Sequence, residues 1–173
     1  ETIGGKIACE CRRINEYDSR KYRFNEWAAV MIYRLIGIFF KFKKNLLFYE
    51  KFCTAAQDNS YYMFEYFMER NEKKYRPLYV IEKKRPVYSV LKEKYNRNIL
   101  DFMSIRHLIY LQAADVFVST DSKRHCYRWN SANTKILQMI TGKKFVFLQH
   151  GVIGFKRVDN IYGKQYANRC DLF

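Results

Sequence analysis

The sequence predicts an α/β chain built on an open, mostly parallel sheet, and three observations predict it. From Asn45 onward, short β-rich apolar runs alternate with segments of helical period, the pattern of strand and crossover helix in turn. The run Lys144–Leu148 (KFVFL) is nearly continuous apolar, as expected of a parallel strand covered on both faces. The 173 residues are 49% hydrophobic and 28% charged, enough apolar material for the core of about one domain.

Charge and composition narrow the partners. Lys plus Arg number 32 against 17 Asp plus Glu, a formal net charge of +15, so the chain should seek phosphates, acidic lipid, nucleic acid or another polyanion. Two prolines and seven glycines beside 15 tyrosines and 14 phenylalanines exclude a collagenous, low-complexity or linker-like protein. No internal repeat and no basic-then-apolar leader is seen. The chain begins at Glu1 without Met and stops at Phe173 soon after its most motif-like segment, so it is expected to be a piece of a longer protein. Five cysteines (Cys9, Cys11, Cys53, Cys126 and Cys170) form no regular framework, which suits free thiols in a reducing compartment. Cys9 and Cys11 could supply two metal ligands, yet no second Cys/His pair follows at zinc spacing, and no metal is expected.

Residues 1–44 form the first expected segment, basic and amphipathic. Arg20 to Lys44 carries seven basic residues (Arg20, Lys21, Arg23, Arg34, Lys41, Lys43, Lys44) against one acid, Glu26. Its apolar runs Trp27–Tyr33 and Leu35–Phe40 are split by Arg34, which falls short of the ~20 apolar residues of a spanning helix. On one helix, Arg23, Arg34 and Lys41 come nearly into register as a basic stripe on an apolar, aromatic cylinder. That pattern suits a helix lying in the headgroup layer of a membrane, with Trp27, Phe39 and Phe40 entering the acyl boundary and Arg23, Arg34 and Lys41 reaching anionic phosphates. The alternative is a helix packed on the domain's own core with a few charges exposed.

Residues 45–173 form the expected sheet domain. Leu46–Tyr49 reads as a strand, followed by a polar loop and a helix from Tyr61 to Arg70 that Asp58, Asn59 or Ser60 can cap by accepting from first-turn amides. Leu78–Ile81 is the next strand, and Pro86 to Tyr95 the next helix, with Pro suited to a first turn. Ile99–Leu100 is a short strand. Ser104 to Ala114 repeats apolar residues at Ile105, Leu108, Ile109 and Leu111, a helical period with Ser104 as cap. Val116–Val118 runs into Ser119–Asp121; Lys135 to Ile140 is a helix closed by Gly142, and Lys144–Leu148 leads directly into Gln149-His150-Gly151. Ligands of such sheets bind at the carboxyl ends of the strands, so Asp58-Asn59, Ser119–Asp121 and Gln149–Gly151 all fall where a site would form.

His150 is the residue best placed for chemistry: an imidazole at a strand's carboxyl end, followed by a glycine that permits close approach, suits general-base work near neutral pH. A histidine merely hydrogen-bonded in a turn is the alternative. Lys156 and Arg157 follow within seven residues of it and suit a phosphate. There is no Gly-Lys-Ser/Thr of a P-loop. His107 lies inside a predicted helix and reads as structural or exposed. His125-Cys126 could suggest a nucleophile, but adjacent side chains usually point apart. The basic aromatic stretch Lys123–Trp129 could stack on bases or grip phosphates, or be a solvated loop with an aromatic anchor.

Phe48–Phe52, Asp58-Asn59, Ser104–Ala114 and the run Phe145–Gly151 with Lys156 together resemble the CDP-glycerol glycerophosphotransferase family of teichoic acid polymerases and primases, from about Asn45 to Lys156. The resemblance implies a GT-B enzyme, two Rossmann-like domains facing across a cleft, held peripherally on the cytoplasmic membrane face. Residues 45–173 would then be the Rossmann-like, acceptor-side domain, without the carboxy-terminal half that binds the CDP moiety and supplies a second essential His; the piece alone would be inactive. The implied reaction moves glycerol phosphate from CDP-glycerol, the donor substrate rather than a cofactor, to a hydroxyl of a lipid-linked acceptor. The family's proposed catalytic base falls on His150. Acceptor or phosphate contact falls on Asp58, Asn59 and Lys156, with Gln149, Gly151 and Arg157 beside them. A common family form is Trp-His-Gly-Thr-Pro-Leu-Lys, whereas this chain has Gln149-His-Gly-Val-Ile-Gly-Phe-Lys156, which leaves acceptor and polyol phosphate open. The alternatives are a GT-B glycosyltransferase using a sugar nucleotide, and a noncatalytic basic module that docks on membranes or nucleic acid.

Overall fold

The computed structural model describes residues 2–3, 6–7, 14, 16–40, 42–128, 134–149 and 171–172. A short antiparallel ladder of β1 (Thr2–Ile3) and β2 (Lys6–Ile7) precedes the main body. The body is a five-stranded, all-parallel sheet of β3 (Lys44–Tyr49), β4 (Tyr75–Ile81), β5 (Ile99–Asp101), β6 (Val116–Ser119) and β7 (Lys144–Phe147), in the order β5-β4-β3-β6-β7. The helices are α1 (Arg20–Ile36), α2 (Asn59–Arg70), α3 (Pro86–Tyr95), α4 (Ile105–Ala113) and α5 (Thr134–Gly142). The fold is α/β and Rossmann-like, with each element from β3 to β7 close to its predicted place.

Side chains along β3 alternate between two cores. Leu47 and Tyr49 pack with Leu78, Val80, Phe117 and Phe145 under Ala29 of α1, Leu108 and Leu111 of α4 and Ile136 and Ile140 of α5. Leu46 and Phe48 pack with Tyr79, Ile81 and Val118 under Phe64 of α2 and Leu91 of α3. Both faces are covered, which explains why the strands are apolar without alternation. Ser104 caps α4, its Oγ accepting from the amide of His107 at 3.2 Å. Asn71, at φ 44°, ends α2 in the left-handed conformation, a position that Asn tolerates well.

α1 ends earlier than its sequence reading, and its packing by one face follows the alternative raised there. The helix stops at Ile36 and gives way to a 3-10 turn over Gly37–Phe40; Lys41 lies outside the described residues. One face of α1 is also part of the core. Glu26 is 3% exposed; its carboxylate accepts from Arg128 Nη2 at 2.6 Å and from the Tyr127 hydroxyl, while Arg128 also donates to the Tyr17 carbonyl. The lone acid of the basic stretch therefore locks α1 to the segment after β6.

That segment reads differently once folded. Lys123, His125, Cys126, Tyr127 and Arg128 are all buried, so Lys123–Arg128 is neither a solvated loop nor a surface that grips phosphates. The Lys123 ammonium donates to the carbonyls of Thr141 and Lys143 at the end of α5, a cation meeting the negative end of a helix. The Cys126 thiol donates to the Lys123 carbonyl at 3.1 Å, and burial pushes its pKa up to about 12; a protonated, enclosed thiol is no nucleophile. Cys53 is likewise free and buried. Cys9, Cys11, Cys170 and Trp129 lie outside the described residues.

His107 is fully buried, with Nδ1 accepting from the Met103 amide at 3.0 Å. Burial pushes its pKa down to about 3.

Two predictions follow from these buried groups. Glu26→Ala strands the Arg128 charge and should lower the unfolding free energy by about 3–5 kcal/mol, measured by urea denaturation. Because the folded pKa of His107 lies below its unfolded value, the unfolded chain binds the extra proton, and stability falls with pH below about 6.5 at up to ~1.4 kcal/mol per pH unit. His107→Asn, whose amide oxygen can still accept from Met103, should flatten that part of the pH profile.

Candidate functional site

The strand order reverses at β3: β4 and β5 lie on one side of it, β6 and β7 on the other. At such a switch point the flanking crossovers leave in opposite directions and open a crevice outside the carboxyl ends of the strands. Here that crevice lies beyond Tyr49 of β3 and Ser119 of β6, which are paired in register. Its floor is held by Ser60, in the first turn of α2, whose hydroxyl lies 3.0 Å from the Tyr49 carbonyl and 3.2 Å from the Val118 carbonyl.

Glu50 directly follows β3 and organises the loop to α2. Its buried carboxylate accepts from the amides of Gln57 at 3.0 Å and Asp58 at 2.8 Å. Charge-assisted bonds of this kind are about twice as strong as neutral ones. Tyr79 adds a hydroxyl hydrogen bond to the Ala55 carbonyl at 2.9 Å. The chain turns sharply at Phe52 and Cys53, both at positive φ (52° and 56°), where a side chain is tolerated only because the surroundings hold it. Phe52 stacks on the His125 ring at 4.0 Å between centroids, and His125 lies 3.3 Å from the Asp121 carboxylate. The loops after β3 and β6 are thus braced against each other.

Of the predicted site residues, three come together. Asp58 is the N-cap of α2, its carboxylate accepting from the Asn59 amide at 2.8 Å. Asn59 donates from Nδ2 to the Gln149 carbonyl at 2.6 Å, joining the start of α2 to the segment that leaves β7. A cavity of about 480 Å³ opens beside this contact, lined by Asn59, Tyr62, Met63, Tyr66, Leu148 and Gln149. His150, Gly151, Lys156 and Arg157 lie outside the described residues, immediately downstream of Gln149.

The expected membrane-facing set divides. Trp27 is 61% and Phe39 63% exposed. Together with Phe24, Met31, Leu35 and Ile38, all exposed, they recur every three or four residues along one side of α1 and its 3-10 extension, and Arg23 and Arg34 are exposed beside them. Phe40 instead turns inward, its ring edge-on to Tyr110 at 5.1 Å. Among the described residues no helix is long and apolar enough to cross a membrane.

Sequence reasoning missed Glu50 and the hydroxyl of Ser60. Glu50 follows Tyr49 at the end of a strand, a usual place for a solvated charge, and nothing local shows that the next loop folds back over it.

The family model described as CDP-Glycerol:Poly(glycerophosphate) glycerophosphotransferase matches residues 31–169. No curated protein and no solved structure matches the chain.

Replacing Glu50 with Ala should cost about 3 kcal/mol of stability, the worth of its charged hydrogen bonds. Hydrogen exchange should then rise first at the amides of Gln57 and Asp58.

Proposed function

The chain belongs to the CDP-glycerol:poly(glycerophosphate) glycerophosphotransferase family, and from that membership we propose that it takes part in transferring glycerol phosphate, or a related polyol phosphate, from a CDP-activated donor to a hydroxyl of a lipid-linked acceptor. A teichoic acid or similar wall polymer fits that chemistry. The observation that carries the reading is the Asn59–Gln149 contact: it anchors the residue preceding His150 at the carboxyl end of the parallel sheet, beside the crevice where the strand order reverses.

In this mechanism His150 acts as general base. Its unprotonated ring nitrogen accepts the proton of the acceptor hydroxyl as that oxygen forms a bond to the donor's β-phosphorus. The bond from this phosphorus to the bridging oxygen breaks, and CMP leaves with the electron pair. Positioning and charge stabilisation supply most of the rate in phosphoryl-type transfer. Asp58, Asn59, Gln149 and Gly151 would hold the acceptor, and Lys156 and Arg157 would face the phosphates.

The enzyme would work on the cytoplasmic face of the membrane without spanning it. Phe24, Trp27, Met31, Leu35, Ile38 and Phe39 offer one apolar face, and Arg23 and Arg34 flank it. An exposed apolar face with basic flanks suits an anionic bilayer.

The test is CMP release from CDP-glycerol, with CDP-ribitol and UDP-sugars alongside, by the full-length protein on vesicles carrying a lipid-linked acceptor. His150→Ala should lower turnover by about 10²–10⁴-fold with vesicle binding unchanged. Normal turnover by that variant would overturn the assignment of the base; turnover of a UDP-sugar in place of the CDP donors would favour a glycosyltransferase. Vesicle binding without turnover of any donor would favour a noncatalytic docking module.

A further inference from the structure

At the amino-terminal edge of the sheet, opposite the candidate active site, lies a cavity of about 380 Å³ where the chain enters β3, β4 and β5. Lys43, Arg76, Arg97 and Arg106 line it around Tyr110. The Arg76 and Arg106 guanidinium carbons lie 5.8 and 5.7 Å from the Tyr110 ring centroid, so two forks converge on one aromatic platform. Among the described residues their hydrogen bonds go to neutral groups: Arg76 donates to the Asn45 side-chain carbonyl at 3.4 Å and Arg106 to the Arg97 carbonyl. Among the described residues Glu72 is the one acid in the lining, and it already pairs with Arg70 at 3.1 Å. Among the described residues no carboxylate pairs with any of the four cations. The positive field is felt nearby, where burial and then the Arg106 charge push the Lys92 pKa down.

The cavity adjoins the exposed apolar ridge. Phe40 packs edge-on against Tyr110, Phe42 is 79% exposed, and Lys43, the next residue, lines the cavity. A protein resting on a bilayer through Ile38, Phe39 and Phe42 would therefore bring this mouth to headgroup depth. Planar guanidinium forks match the oxygens of a phosphodiester, whereas an ammonium is only a point charge.

We propose that this cavity is a binding site for the phosphodiester headgroup of an anionic phospholipid, separate from the site of transfer and orienting the domain on the membrane. The inference rests on the membrane-docking part of the proposed function, so its test separates the two. Phosphatidylcholine vesicles with and without phosphatidylglycerol are titrated with the protein. The variant Arg76→Lys/Arg106→Lys keeps both charges but loses the forks, and should lose about tenfold of the preference for phosphatidylglycerol while binding neutral vesicles as before. Lys73→Gln/Lys74→Gln removes two exposed charges from the same edge outside the cavity, and should cost less than the fork variant. The opposite ranking would mean diffuse attraction and would overturn the site. Trp27→Ser/Phe39→Ser should weaken binding to both kinds of vesicle. If these ridge changes matter and the fork changes do not, docking stands and the headgroup site falls; if wild type binds neither vesicle, both fall. Water-soluble glycerophosphoglycerol is the remaining probe: fork-dependent binding of it, with vesicle binding indifferent to the forks, would overturn the lipid source. Arg97→Lys carries the same comparison should the double variant prove unstable by urea denaturation.

Discussion

A parallel sheet has no face that it can leave to water, and this constraint organises the rest of the molecule. Leu47 and Tyr49 on one side of β3, and Leu46 and Phe48 on the other, are all buried, so helices must cover both sides. α2 and α3 cover one. The other needs α1 as well as α4 and α5, which draws a basic, aromatic helix into the domain by one face and leaves its opposite face open. Glu26 makes that arrangement specific: on the outer face of α1 it would be solvated, whereas here it neutralises Arg128.

The same topology separates two chemically different ends. At the carboxyl end, Glu50 and Ser60 spend their hydrogen bonds on loop and strand backbone, and this fixes where α2 begins and where the chain leaves β7. At the amino end, Arg76 and Arg106 converge with no acid partner among the described residues. A net charge of +15 therefore does not act as one diffuse field. Some cations are consumed internally, as Lys123 and Arg128 are, and others, such as Arg76 and Arg106, meet neutral groups among the described residues. Which cation does which depends on the nearest carbonyls and carboxylates in space.

Much of this was legible in the linear pattern. β3 and α2 through β7 are close to where apolar period and capping residues predict them, because each signal is local: Asp58 and Ser104 cap helices through amides one and three residues away. The basic, amphipathic helix was legible only in part. Its helical period is local, but the inward turn of Phe40 rests on Tyr110, 70 positions further along the chain. Lys123–Arg128 misled for the same reason, since a run of cations and aromatics looks solvated until Glu26 and the carbonyls after α5 are brought beside it.

The order of amino acids alone determined the fold class, the helix caps, the family resemblance and the motif centred on His150, all of which rest on short-range periodicity and residue type. Tertiary structure decided that Asn59 meets Gln149 across 90 positions, that Glu50 is a buried loop anchor, and that two arginines share one tyrosine at the far edge of the sheet. Those contacts join residues distant in sequence. They are selected by burying apolar surface and satisfying the polar groups trapped with it, a balance struck only when the whole sheet is assembled.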